Sequence, residues 1–328
     1  MMRNGPSSRQ NELCQTSDKH TLVVTRCIPP NDTVVHKHSV ILCHGFASNR
    51  FTFDLNHDVS VADYLCSKGW DVWLIELRGS GKNKRTGPHE QTSWTFEDHV
   101  DDIKSVIDKV FTLSGLPVHV VGHSMGAMLV QCAAAGDGFK KVRSGVAIAG
   151  SFQMEKSEWK EFLWLWPLVQ HFTTIHPEYV QEFLAPMSYK FNTPWDQLFF
   201  CSDNVDHDVA REMFLKNWEP IPISLISQLR SAVEPSGLSH ANDTTKHYSD
   251  ILSSIKVPML LLSGSKDQQC PPIAMENAQK KIPLSQHISF GKRHGHVNEY
   301  GHFDLVVGVN ARTEVWDLIS EFLIKNDE

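Results

Sequence analysis

The chain has 328 residues, of which 41% are apolar, enough to bury a large core in one α/β unit with insertions. Its 31 basic and 38 acidic residues give a formal charge of −7. That balance, with no block of like charge, excludes nucleic acid as the main partner, because phosphate binding needs a basic surface.

The N-terminus lacks the apolar stretch of a secretory signal, and residues 1–18 are expected to be disordered. No run of about eighteen apolar residues is present, so no transmembrane segment is expected, and a cytoplasmic location follows as the default. Seven cysteines, odd in number and without a CxxC pair, are expected to be reduced and mostly buried. The sequons at Asn31 and Asn242 are expected to be unused.

From residue 19 to residue 150 short apolar runs alternate with amphipathic ones. Thr21 to Ile28 is extended, and Ser39 to Cys43 reads as a buried strand ending at His44-Gly45. A helix carrying Val59, Ala62 and Leu65 on one face follows, then the strand Asp71 to Ile75, ending near Arg78-Gly79. Val100, Ile103, Val106, Ile107, Val110 and Phe111 keep helical spacing up to Gly115. The strand Val118 to Val121 precedes an Ala-rich helix from Met125 to Ala135, and Val146 to Ala149 forms another strand. This alternation predicts a mostly parallel sheet with helices on both faces.

Over residues 151–250 the alternation stops, and Trp, Phe, Pro and His become frequent. The segment is expected to be a helical cap inserted before the acid-bearing strand. Its most apolar part, Glu161 to Gln170, is too short to span a membrane and is expected to form a helix packed on the core. The second part of the core, 251–328, resumes with strands at Val257 to Ser263 and His287 to Phe290. It ends in a helix carrying Val315, Trp316, Ile319, Phe322 and Leu323.

The chemistry concentrates at Gly122-His123-Ser124-Met125-Gly126, placed between an apolar strand and a helix. A nucleophile elbow needs this setting: the sharp turn lifts the serine hydroxyl above the sheet, and small neighbours keep the turn uncrowded. Ser124 is therefore the candidate nucleophile. Serine is unreactive at its free pKa and needs a base and an orienter for that base, in the chain order Ser, acid, His. Asp267, just past the strand Met259 to Ser263, is the candidate acid, ahead of Asp250, which precedes that strand. Of His294, His296 and His302 after the last strand, His302 stands before the final helix and is the candidate base.

Oxyanion donors are expected from the amides of Phe46, after the flexible Gly45, and of Met125 at the helix start. His44 is expected to be a structural hydrogen-bonding residue. His294-Gly-His296 lacks a third ligand at metal-site spacing, so no metal and no cofactor are expected. Gly79-Ser-Gly81-Lys82 lacks P-loop spacing, and no His-x4-Asp acyltransferase pattern occurs.

Taken together, His44-Gly-Phe-Ala-Ser-Asn-Arg50, Val61-Ala-Asp-Tyr-Leu65, Gly69-Trp-Asp-Val-Trp-Leu74 and Arg78-Gly-Ser-Gly81 resemble the α/β-hydrolase superfamily. Asp71-Val-Trp73 with Arg78-Gly79, and Tyr300-Gly-His-Phe-Asp304, are similar to its acid-lipase and esterase side. The resemblance covers about residues 20–150 and 255–326. It implies the α/β-hydrolase fold, with Ser124, Asp267 and His302 on the family's triad and Phe46 and Met125 on its oxyanion hole. Where the acid lipases carry His-Ser-Gln at the elbow, this chain carries His-Ser-Met.

The expected activity is hydrolysis of a carboxylic ester or thioester, with a medium or long acyl chain suggested by Trp159, Trp164, Trp166 and Trp195 in the cap. The expected partner is a small-molecule or lipid acyl ester, with transient membrane-surface contact through the cap. Acyl transfer by the same triad, or a non-catalytic binding role on the same fold, stay open from sequence.

Overall fold

The computed structural model describes residues 8–30, 33–84, 93–177 and 193–328. An eight-stranded sheet forms the frame, built from β1 (Ser8–Gln15), β2 (Thr21–Ile28), β3 (Val40–Cys43), β4 (Val72–Ile75), β5 (Val118–His123) and β6 (Val142–Ile148). A two-residue pair, β7 (Thr174–Ile175) and β8 (Ile221–Pro222), lies outside it, and β9 (Met259–Gly264) and β10 (Ser285–Phe290) complete it. The order across the sheet is β1-β2-β4-β3-β5-β6-β9-β10. The β1–β2 and β2–β4 pairs are antiparallel, and the remaining pairs are parallel.

Every residue of β3, β4, β5 and β9 is buried. Such continuous apolar runs are what a parallel sheet covered on both faces requires. The covering helices are α1 (Val61–Ser67), α2 (Phe96–Ser114) and α3 (Met125–Ala134), with others after β9. In α2 the capping box pairs Thr95 with Asp98, and Gly115 closes the helix at φ +70°. Its buried face carries Phe96, Ile103, Val106, Ile107 and Val110, together with His99 and Asp102. Val100 and Phe111, read as part of that face, are only partly buried.

Residues 8–15 correct the expectation of disorder. β1 pairs with β2 over eight residues, and only Cys14 of its side chains is buried. An edge strand is held by main-chain hydrogen bonds and needs little apolar content, so its polar composition hid it. Arg9 pins it to the core, bonding Asp54 at 2.6 Å and Asp63 at 2.9 Å.

Between β6 and β9 the described part of the insertion consists of short elements. A 3₁₀ stretch, Glu158–Leu165, leads into α4 (Trp166–Val169). After the β7 strand come α5 (Pro194–Phe199), α6 (His207–Lys216) and α7 (Ile223–Leu229). The segment Glu161 to Gln170 does not pack on the core as expected. Trp164 is 71% exposed and Leu168 64% exposed, and Phe172 just beyond is also exposed. A new short helix starts at Trp166 with Pro167 in its first turn, so no single long helix forms to lay one apolar face on the core. The side chain of Trp195 lies outside the described residues.

The chain ends with α8 (Pro272–Lys281), α9 (Asp304–Val307) and α10 (Asp317–Lys325), whose buried face includes Ile319, Phe322 and Leu323. All seven cysteines are free thiols, and all but Cys201 are buried.

Candidate active site

β5 runs into α3 through Ser124, which adopts φ +57°, ψ −122°. A side chain pays strain in this region, and a packed surrounding must hold it there. Glycines supply that surrounding. A Cβ on Gly122 would sit 2.2 Å from the Gly126 carbonyl, and one on Gly126 would sit 2.2 Å from the Cys43 carbonyl. One on Gly150 would fall 2.0 Å from the Ser124 carbonyl. The turn is therefore tight against β3 on one side and the end of β6 on the other.

The loop after β3 crosses directly over the serine. A Cβ on Gly45 would lie 2.8 Å from the Ser124 Cβ and 3.4 Å from its Oγ. Neither the Phe46 nor the Met125 amide donates to an acceptor among the described residues, so both are available to a ligand. His44 fixes this loop. Its Nε2 accepts from the Leu77 amide at 3.1 Å, which places the ring hydrogen on Nδ1, 2.9 Å from the Gly45 carbonyl. Burial pushes the His44 pKa down to about 4, so the ring is a neutral brace and not a base.

Past β9, Asp267 is buried, and its Oδ1 accepts from the amides of Gln269 (2.8 Å) and Cys270 (2.9 Å). Its Oδ2 lies 2.8 Å from Nδ1 of the buried His302. The His302 carbonyl accepts from His123 Nε2 at 3.0 Å, and the two rings lie 4.7 Å apart. His302 is thus brought to the elbow through the residue preceding Ser124. No hydrogen bond joins Ser124 Oγ to the imidazole among the described residues; such contacts often tighten only with substrate bound. Asp250 lies in a separate 3₁₀ turn, and His294 and His296 lie around Gly291 and Gly295, with no hydrogen bond to Ser124, Asp267 or His302 among the described residues.

Three groups were not singled out from sequence. His123 holds the His302 main chain, and burial keeps its ring well below its ordinary pKa. Asp304 accepts through Oδ2 from the amides of Gly301 (2.6 Å) and Cys201 (2.8 Å), tying the His302 loop to the insertion. His99 and Asp102 form a buried pair beside Arg78. Their signal was present in sequence: two polar residues at i and i+3 on the same helical face as Phe96 and Ile103.

A small cavity adjoins the elbow, with a volume of about 10 Å³, roughly the room for one water. Gly45 and Met125 border it on the elbow side, and Ile221, Pro222 and Leu225 roof it from the insertion. No group of residues suited to a metal ion occurs among the described residues.

Residues 38–176 match the family model described as alpha/beta hydrolase fold. The chain has the α/β-hydrolase fold, with Ser124 at its strand-to-helix turn. In sequence, the chain is similar to a triacylglycerol lipase 2 of Arabidopsis thaliana, 29% identical over 97 residues, 27% of this chain and 23% of that protein. It is similar also to a probable lysophospholipase L2 of Haemophilus influenzae, 33% identical over 92 residues, 27% of this chain and 28% of the relative. The matched stretch is thus about a quarter of the length of these curated relatives. A thermophilic esterase from Thermogutta terrifontis shares the fold at a TM-score of 0.61 and 19% identity, over 97% of this chain and 100% of the other. Among the described residues no helix is long and apolar enough to cross a membrane.

Proposed function

We propose that this protein is a serine hydrolase acting on carboxylic esters or thioesters. In this reading His302 takes the Ser124 proton as Oγ attacks the carbonyl, and Asp267 holds the imidazole with its hydrogen on Nδ1. The Phe46 and Met125 amides receive the oxyanion, each supplying ~3 kcal/mol to the transition state. The alcohol or thiol leaves with a proton from His302, and water activated by the same ring then releases the acid from Ser124.

The observation that carries this reading is Ser124 at φ +57° under the Gly45 loop, with the buried His302–Asp267 pair bonded to the residue before it. The lipase, lysophospholipase and esterase names of its relatives support the same class of reaction.

A medium or long acyl chain is the substrate we propose. Support comes from an aromatic run that leaves His302 through Phe303 and Phe199 to Phe214 and the partly buried Trp218. Exposed Trp164, Leu168 and Phe172, at four-residue spacing, support a lipid surface as the place where such a substrate is met. The test is the ratio of dodecanoyl to butanoyl p-nitrophenyl ester hydrolysis, with Ser124→Ala subtracted. A ratio well above one is expected. A ratio well below one would replace the lipid ester with a small one, and turnover unaffected by Ser124→Ala would remove the serine mechanism.

A further inference from the structure

The proposed mechanism leaves one buried histidine next to the elbow without a role. His99 lines the same small cavity as Gly45 and Met125, although it comes from α2 and not from the catalytic loops. Resting on the ester-hydrolase reading, we propose that His99 is a specificity-determining residue that accepts a hydrogen bond from a hydroxyl carried by the substrate ester.

The ring is built to do this. Its Nδ1 faces Asp102 Oδ2 at 3.4 Å, and Asp102 is completely buried. The carboxylate is itself fixed: Arg78 Nε and Nη2 reach its Oδ1 at 2.9 and 2.8 Å, and the Arg78 amide reaches Oδ2 at 2.9 Å. Burial works against the Asp102 charge, but the His99 and Arg78 bonds outweigh it and hold the carboxyl below its ordinary range. A carboxylate can only accept, so Nδ1 is the nitrogen that donates to Asp102; with a single ring hydrogen, Nε2 is then a lone-pair acceptor. Nε2 has no protein partner among the described residues. Trp94 packs edge-on at 6.4 Å and restrains the ring plane.

The cavity's size then selects what this acceptor meets. Room for one water fits a hydroxyl group and excludes an acyl chain. Among its other polar neighbours, His44 Nε2 is engaged by the Leu77 amide and Arg78 by Asp102 and Asp18, while Ser80 also lines the cavity. A hydroxyl there replaces a water and gives His99 its hydrogen. An ester lacking it leaves the acceptor unpaired or wet, which is the kind of difference that discriminates strongly between analogues.

The hydroxyl can belong to the alcohol part or to the acid part of the ester, and two substrates separate these sources. Hydrolysis of glycerol 1-monobutanoate and of propyl 3-hydroxybutanoate is compared with that of propyl butanoate at about pH 8. The wild type, His99→Phe and His99→Gln are used, and kcat/KM is read. At least one hydroxylated ester is expected to exceed propyl butanoate by about tenfold in the wild type. His99→Phe, which keeps the ring shape without the acceptor, brings that ratio near one and leaves propyl butanoate within about threefold. His99→Gln, which offers an amide oxygen, recovers part of the ratio.

A wild-type ratio near one for both hydroxylated esters overturns the proposal, and that result needs no variant to fold. Equal slowing of all three esters in His99→Phe also overturns it, since that marks a structural role. Ser124→Ala run beside them reports on the underlying mechanism: loss of all three activities keeps the serine reading whatever His99 does, and turnover that survives it ends that reading.

Discussion

Asp304 shows how much a single side chain next to His302, the proposed base, can set. It is wholly buried, and desolvation raises its pKa to about 7 despite the Gly301 and Cys201 amides, which favour the charged form. The unfolded carboxyl titrates near 3.8, so between about pH 4 and pH 7 the folded state holds a proton that the unfolded state has lost. Stability from this group is therefore complete below about pH 4 and is lost as the pH rises through 7. Asp304→Asn cannot ionise. Its melting temperature relative to wild type is expected to improve by several °C between about pH 5 and pH 8, read by thermal scans at both. Parallel pH dependences in the two proteins would assign the charge elsewhere. The sequence placed Asp304 in the Tyr300-to-Asp304 stretch but gave no sign of its burial, because that depends on Cys201, 103 positions away.

At the scale of elements, the elbow was the most legible part of the chain. The alternation of Val118 to Val121, the Gly-x-Ser-x-Gly spacing and the Ala-rich run after it are local signals, and a strand-turn-helix obeys local rules. Their packing carries a test. A methyl on Gly126 would meet the Cys43 and His44 carbonyls at 2.2 and 2.5 Å, and backbone cannot step aside as a side chain can. Gly126→Ala is expected to cost about 3 kcal/mol or more, seen in urea denaturation, and to remove activity as the turn shifts. Near-native stability would mean that β3 and α3 are less tightly packed than described. β1 was illegible for the opposite reason. Its stability comes from pairing with β2 and from Arg9 reaching Asp54 and Asp63, and neither leaves an apolar pattern in Ser8–Gln15. The exposed Trp164 and Leu168 misled in the same way: apolar composition indicates burial on average, and composition alone does not distinguish a core face from an exposed one.

Across the whole molecule, the insertion is clasped to the proposed oxyanion loop by polar contacts that no local pattern announces. Asn49 donates through Nδ2 to the Lys216 carbonyl at 2.8 Å and to Glu219 Oε1 at 2.6 Å, and its Oδ1 caps the turn at Phe51. The Glu219 amide donates to the Ala47 carbonyl at 3.0 Å, one residue from Phe46. Asn49→Ala strips a partner from a buried carboxylate and is expected to cost about 2–3 kcal/mol. Because the clasp borders Phe46, kcat is expected to fall with it while fluorophosphonate still reacts, more slowly, with Ser124. Unchanged kcat in a folded variant would separate the insertion from oxyanion binding. The sequence showed that residues 151–250 interrupt the α/β rhythm; which of them return to the active-site loops is set by contacts about 170 positions apart, and these appear only in three dimensions.

The central claim is that Ser124 is an activated nucleophile, and covalent labelling of the folded protein tests it most directly. Native protein is treated with a fluorophosphonate, digested, and mapped by mass spectrometry, with Ser124→Ala and heat-unfolded protein as controls. The predicted result is a single adduct on the peptide carrying Gly122-His123-Ser124-Met125-Gly126, absent from both controls. A folded protein that takes no label, or that takes it on another residue with Ser124→Ala labelled equally, would contradict the account.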